Sequence, residues 1–149
     1  MKVDDIKKDL ILNIFQELNK LSSKLSGGNC GMVAYAICKI CAEHYKINPK
    51  MGLICNKNDK QDTVCQLLNV DANIYHIFIE HNNRMYDETG IISNEYLLAL
   101  AEEQYGDSDP DYFSDIEYNE PCILQLIRND TNWDTSWEAF YKTIKNFIV

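Results

Sequence analysis

The stretch SGGNCGMVAYAICKIC, residues 26–41, joins a glycine-rich turn to an apolar run, with a cysteine at the junction. Glycine readily adopts the left-handed conformation that ends helices, so the turn at Gly27-Gly28 is expected to close a preceding helix. The apolar residues that follow recur at helical spacing and predict a second helix from Asn29 or Cys30 to Tyr45. Cys30 is therefore expected in the first turn of a helix that packs on the rest of the fold.

This position suits a nucleophilic cysteine. The thiolate is the reactive form of cysteine, and the free N–H groups and dipole of a helix N-terminus stabilise it. Gly28 and Gly31 leave the sulfur uncrowded, and the N–H of Cys30 is an expected oxyanion donor, with the Asn29 side chain as the second donor. The alternative interpretation of Cys30 is a buried, inert cysteine that happens to follow a glycine-rich turn.

A nucleophilic cysteine needs a base, and His76 is the best candidate among three histidines. His44 falls near the far end of the helix that Cys30 begins, and His81 falls in a predicted hairpin turn. His76 begins a predicted strand, residues 74–80, in which it alternates with apolar neighbours. Taken alone, a histidine at a strand end is more often bonded to backbone than catalytic.

The hairpin after this strand brings a carboxylate toward His76. With Asn82 and Asn83 at its tip, Phe78 faces Asp87, so His76 and Asp87 become diagonal neighbours on one face. Their Cβ atoms are then about 7–8 Å apart, within side-chain reach. The same register pairs Glu80 with Met85 and His76 with Thr89, and the alternative orienting residues are Glu80 and Asn73.

The order of these motifs resembles the papain-like and transglutaminase-like cysteine hydrolase superfamily, and most closely its small bacterial and phage members. The shared features are G-x-C-x-x-x-A at 28–34, a histidine that starts a strand, and Y-D-x-x-G at 86–90. The resemblance spans residues 26–92. It implies a Cys30–His76–Asp87 triad, with Ala34 as the small residue on the helix, acting without a cofactor on an amide, peptide or isopeptide bond of a protein or smaller substrate. Lys24 stands where papain-type enzymes carry an oxyanion-donating Gln.

Length and charge limit the other possibilities. A chain of 149 residues is expected to form a single domain over 1–149. Its net charge of −9 argues against non-specific nucleic-acid binding and against attachment to anionic membranes. The charged opening MKVDDIKKDL does not resemble a signal peptide, so we expect a cytoplasmic protein with free thiols. A phage-encoded origin, or delivery into a host cell, is implied by the resemblance alone.

An acidic segment of the chain favours a different class of protein. Residues 102–120 are strongly acidic, which is typical of a solvated loop but also of a docking surface for a basic protein partner. The second hypothesis is therefore a non-catalytic acidic binding or inhibitor protein on a degenerate hydrolase fold. The C-x-x-C pair Cys38 and Cys41 lies inside an apolar helix without further ligands at zinc spacing, so we predict no metal site.

The remaining patterns predict an α+β fold in which the cysteine-bearing helix packs on a small antiparallel sheet, flanked by N- and C-terminal helices. The other expected elements are a helix over 3–25, a strand at 51–55, a short helix at 62–68, a helix capped at 92–94 and reaching Tyr105, an acidic loop at 106–115, a strand at 122–127, and a final helix with Trp137, Phe140, Tyr141, Ile144, Phe147 and Ile148 on one stripe.

Overall fold

Within the residues that the structure describes, the fold consists of helices packed on a five-stranded sheet. The computed structural model describes residues 10–16, 30–59, 66, 74–120, 123, 125 and 137–148. The helices are α1 (10–16), α2 (Cys30–Ile40), α3 (Asn94–Tyr105) and α4 (Trp137–Ile148), and the strands are β1 (Lys50–Cys55), β2 (Ile74–His81), β3 (Arg84–Asp87), β4 (Gly90–Ile92) and β5 (Asp111–Ile116). A π-helical turn, Cys41–Tyr45, continues α2, and a 3-10 turn, Lys57–Asp59, follows β1.

The strands form one antiparallel sheet in the order β4-β3-β2-β1-β5. The tip of the β2–β3 hairpin is Asn82-Asn83, with φ of 51° and 63°. Positive φ at both central residues matches the twist of paired strands, and asparagine tolerates that conformation well. Glu80 pairs with Met85, as the sequence predicts.

Helices cover both faces of this sheet, which makes the fold α+β as predicted. One core group joins α1, α2 and α4 to one face of the sheet, and it includes Tyr35 and Tyr86. The other group joins α3 to the opposite face through Phe78, Leu97 and Ala101. The cysteine-bearing helix is thus packed on the sheet, with the described parts of the terminal helices beside it.

The α3 face of the sheet depends on a glycine. Gly52 of β1 pairs with Phe78 of β2, and the Phe78 ring and the Glu80 carboxylate lie across it. A Cβ atom at Gly52 would stand 2.5 Å from the Phe78 ring, far inside van der Waals contact. The glycine therefore provides the space in which Phe78 packs against α3.

The simple alternation of side chains expected for β2 is wrong at the start of the strand, where the register with β1 shifts. Ile54 pairs with His76 and Cys55 pairs with Ile74, so Tyr75 lies between the two pairs. Tyr75 consequently packs in the same core group as Phe78, and not with the α2-facing residues of β2. Such an irregularity re-aims the side chains next to it, here at the end of the strand that carries His76.

Three other expectations were wrong. The predicted acidic loop at 106–115 contains most of β5, which pairs with β1. The chain after Asp87 turns at once into β4, with Asp87 paired to Gly90, so Thr89 does not face His76. Ile123 and Gln125, the two described residues of the predicted strand at 122–127, are helical.

Several predicted features lie outside the described residues. They are most of the helix over 3–25, the turn at 26–28, most of the short helix at 62–68, and the residues Lys24, Asn29 and Asn73. The predicted helix from Cys30 to Tyr45, the strand at 51–55 and the helix ending at Tyr105 are present. Within the described ranges, every helix is too short or too polar to span a membrane.

Candidate active site

The helix α2 carries Cys30 to one end of the sheet. At its other end, the Cys38 sulfur lies 4.0 Å from the Lys50 carbonyl oxygen, where β1 starts. Cys30 lies eight residues earlier, about 12 Å along the helix axis, toward the end where β2 begins and β3 ends. Cys30 is the first residue of α2 and is half-buried, so its thiol keeps some access to solvent.

His76 meets Cys30 at this end of the sheet. Its imidazole interacts with the Cys30 thiol, which helps to raise the pKa of His76, and its Nε2 lies 2.9 Å from Oδ2 of Asp87. Because Nε2 is taken by Asp87, Nδ1 is the ring nitrogen left for the sulfur. The imidazole is almost fully buried, at 6% exposure, so these partners replace the water it would otherwise bind.

Asp87 is held by a full set of donors. It ends β3 with only 2% of its surface exposed. Its Oδ1 accepts hydrogen bonds from the Thr89 N–H at 2.7 Å and from the Thr89 hydroxyl at 2.5 Å, while its Oδ2 pairs with His76. Burial alone would raise the pKa of Asp87, but the hydrogen bonds from His76 and Thr89 outweigh it and lower the pKa.

The charge of His76 follows from these contacts. Burial by itself lowers the pKa of an imidazole, but the hydrogen bonds to Asp87 and Cys30, and the nearby Glu88 carboxylate, raise the pKa of His76 to about 10. The ring is thus protonated at neutral pH. The Asp87 carboxylate compensates the buried positive charge of the imidazolium.

Sequence reasoning missed a fourth side chain at the site, Tyr96. This residue lies in the first turn of α3, and burial and the nearby Asp87 carboxylate raise the pKa of its hydroxyl to about 12. Its ring stands edge-on to the His76 ring, with centroids 6.5 Å apart. The sequence signal for its position is Ser93, the N-cap of α3, whose hydroxyl accepts a hydrogen bond from the Tyr96 N–H.

The other sequence candidates lie elsewhere or remain outside the described residues. Glu80 lies toward β5, where its carboxylate accepts a 3.4 Å hydrogen bond from the Asp115 N–H. His44 is exposed in the π-helical turn, far along the chain from the start of α2. Gly31 is buried in the first turn of α2, and the expected oxyanion residues Gly28 and Asn29 lie outside the described residues.

The three other described cysteines are unlike Cys30, because all are fully buried: Cys38, Cys41 and Cys55. Burial raises the pKa of the Cys38 thiol well above its usual value and that of Cys41 to about 12. Both thiols therefore stay protonated and unreactive at neutral pH.

Three possible metal ligands lie close together at the site. His76, Asp87 and Glu88 each offer one ligand atom, and these atoms lie within 4.8 Å of one another. However, the His76 and Asp87 atoms are already hydrogen-bonded to each other. A metal ion at this place would have to break that bond.

The acidic segment, residues 102–120, is partly neutralised within the fold. Asp107 accepts a 2.6 Å hydrogen bond from the Tyr75 hydroxyl. Lys57 pairs with Asp109 at 3.1 Å, and Lys50 pairs with Glu117. These carboxylates thus contribute to the fold as well as to the surface charge.

A polar groove of about 460 Å³ lies at the opposite end of the sheet, beside the β2–β3 hairpin. Its lining includes Lys50, Arg84 and Asp115, and none of the residues around Cys30. It is therefore separate from the candidate active site.

Comparison with known proteins found no relative, since no family model, curated protein or solved structure matches this chain. The chemistry of the site is therefore argued from its own geometry.

Proposed function

We propose that the protein is a cysteine-nucleophile hydrolase or acyltransferase that acts on an amide, peptide or isopeptide bond. The observation that carries the proposal is the buried 2.9 Å hydrogen bond between His76 and Asp87, together with the interaction of His76 with the half-buried Cys30 thiol. Nucleophile, base and orienting carboxylate in hydrogen-bond contact are the general signature of covalent catalysis by a side chain. The resemblance of the sequence motifs to papain-like enzymes supports the same conclusion.

In the proposed resting state, the proton of Cys30 resides on His76, and Asp87 holds the imidazolium. The raised pKa of His76, about 10, favours this ion pair at neutral pH. The thiolate attacks the carbonyl carbon, a C–S bond forms, and the oxygen becomes an oxyanion that the Cys30 N–H stabilises. The C–N bond then breaks, and His76 gives its proton to the leaving amine.

The second half of the reaction resolves the thioester. His76, now neutral, takes a proton from the incoming nucleophile, which attacks the carbonyl and expels the Cys30 thiolate. With water the outcome is hydrolysis, and with a glutamine side chain as the substrate amide it is deamidation. With an amine the outcome is acyl transfer.

The test is acylation by p-nitrophenyl acetate, an activated ester that needs no specific recognition. The thiolate of Cys30 would form a thioester and release p-nitrophenolate, so we expect a burst of colour close to one equivalent. Peptide mass spectrometry should place the acetyl group on Cys30. The Cys30→Ala variant should lose the burst and the turnover while it keeps a cooperative thermal transition, because the substitution at this half-buried site is small.

A matched control is Tyr112→Phe, since Tyr112 is partly buried on the α3 face but is outside the triad. It should acylate at the wild-type rate. An added amine distinguishes the two reaction classes, because a transferase would give the N-acetylamine and a hydrolase would give acetate. Acetylation spread over lysines, and unchanged in Cys30→Ala, would refute the proposed function.

A further inference from the structure

We propose that Thr89 is a positioning residue of the site, whose hydroxyl fixes the Asp87 carboxylate in the orientation that holds His76. This inference rests on the proposed function and deepens it, because Thr89 occupies an unspecified position of the Y-D-x-x-G motif. Three hydrogen bonds on one carboxylate carry it. Oδ2 of Asp87 lies 2.9 Å from Nε2 of His76, and Oδ1 accepts the Thr89 N–H at 2.7 Å and the Thr89 hydroxyl at 2.5 Å.

The backbone around Asp87 shows why its carboxylate depends on these bonds. The pairing of β2 with β3 ends at Ile79 and Tyr86, one residue before Asp87. On the other side, Asp87 pairs with Gly90 across the tight turn that contains Thr89. The direction of the carboxylate toward β2 is therefore set by its side-chain hydrogen bonds and by the turn that supplies two of the donors.

Thr89 and His76 hold different oxygens of this carboxylate. A carboxylate that is held by one oxygen can rotate about its Cβ–Cγ bond, whereas donors on both oxygens fix its plane. The Thr89 donors on Oδ1 thus set the direction in which Oδ2 accepts the His76 N–H, and that direction sets the rotation of the imidazole ring. Hydrogen bonds to an ionised carboxylate are roughly twice as strong as those between neutral groups, so they suit this task.

The two residues differ in burial, and this difference makes the role of the hydroxyl measurable. Asp87 is almost fully buried, whereas Thr89 is exposed in the turn. Thr89 thus supplies from the surface the donors that water would otherwise give to Oδ1. Burial would raise the pKa of Asp87, but the hydrogen bonds from His76 and Thr89 lower it. A substitution at Thr89 can remove one donor with little change in packing.

The experiment compares Thr89→Val with Thr89→Ser in the p-nitrophenyl acetate assay. Valine keeps the shape of threonine without its hydroxyl, and serine restores the hydroxyl. We expect Thr89→Val to slow the burst and the turnover about three- to tenfold, the loss expected for one hydrogen bond while the backbone N–H still holds Oδ1. The burst amplitude should stay close to one equivalent, because Cys30 and the fold are intact.

Thr89→Ser should recover most of the rate. The matched control is Thr143→Val, which removes a threonine hydroxyl from an exposed position on α4 and should react at the wild-type rate.

A second readout separates positioning from packing. The pKa of the Asp87 carboxyl, followed by 13C NMR, should rise in Thr89→Val, because the charged form loses a donor, and should return toward the wild-type value in Thr89→Ser. An unchanged rate or an unchanged Asp87 pKa in Thr89→Val, or equal slowing in both variants, would overturn the inference. If the wild type gives no burst on Cys30, the proposed function fails. An Asp87 pKa that still rises in Thr89→Val would then show that the Thr89 bond serves the fold alone, which also overturns the inference.

Discussion

Asp87 combines near-complete burial with a full set of donors, and this combination decides the charge of His76. An ionised carboxylate with 2% exposure is stable only because His76 and Thr89 satisfy it. The imidazole in turn stays charged because Asp87 and Cys30 lie on both sides of it. The three residues therefore act as one electrostatic unit.

At the residue scale, this unit predicts how stability depends on pH. The pKa of His76 is raised in the folded protein to about 10, from 6.5 when it is exposed. A raised folded pKa means that the stabilisation is fully present below about pH 6.5 and is lost as the pH rises through 10. We expect the difference in unfolding free energy between wild type and His76→Gln to shrink over that interval, measured by urea denaturation at successive pH values. A difference that grows with pH would contradict the assignment of charge.

The site also shows why only part of it is visible in the sequence. His76 and Asp87 are joined by one hairpin, and the Asn82-Asn83 tip fixes its register, so local turn chemistry suffices to predict their shared face. Tyr96 belongs to a different element, and the contact of its ring with the His76 ring depends on how α3 packs over the sheet. No periodicity in the sequence encodes that packing.

At the scale of elements, the strands that the sequence predicted have a strong local pattern, and the strands that it did not predict lack one. The apolar strand β1 and the alternating strand β2 carry their own signals. By contrast, β4 has three residues, too few for a period, and β5 has the polar sequence DYFSDI, which forms a strand because β1 pairs with it. Tertiary pairing overrides weak local propensity in both strands.

The packing between β1 and β2 gives a prediction at this scale. Gly52→Ala would place a methyl group against the Phe78 ring and the Glu80 carboxylate. Glu80 is flexible and can move aside, but Phe78 is buried under α3, so we expect a loss of about 1–3 kcal/mol in unfolding free energy. Urea denaturation measures it, with the exposed strand residue Ser114 changed to Ala as a control that should stay within about 0.5 kcal/mol. A neutral Gly52→Ala variant would show that the sheet adjusts more freely than this packing indicates.

At the scale of the whole molecule, the described cysteines fall into two groups that differ in burial. Cys38, Cys41 and Cys55 are fully buried in the core, whereas Cys30 is half-buried at the end of the sheet and interacts with His76. The two hypotheses for this chain, a thiol enzyme and an acidic binding protein, depend on different residues. The first depends on Cys30 and His76, and the second depends on the acidic segment 102–120.

The most direct test of the central claim is competitive labelling of the native protein with limiting iodoacetamide near pH 6, read by peptide mass spectrometry. We predict that Cys30 is alkylated before the other five cysteines, and that His76→Ala slows its labelling about tenfold or more, since a hydrogen bond to a charged group is worth about 1.5–3 kcal/mol. A variant with Asp109, Asp111 and Asp115 changed to Asn should label at the wild-type rate. Uniform labelling of the cysteines, or a Cys30 rate that does not respond to His76→Ala, would contradict the catalytic account.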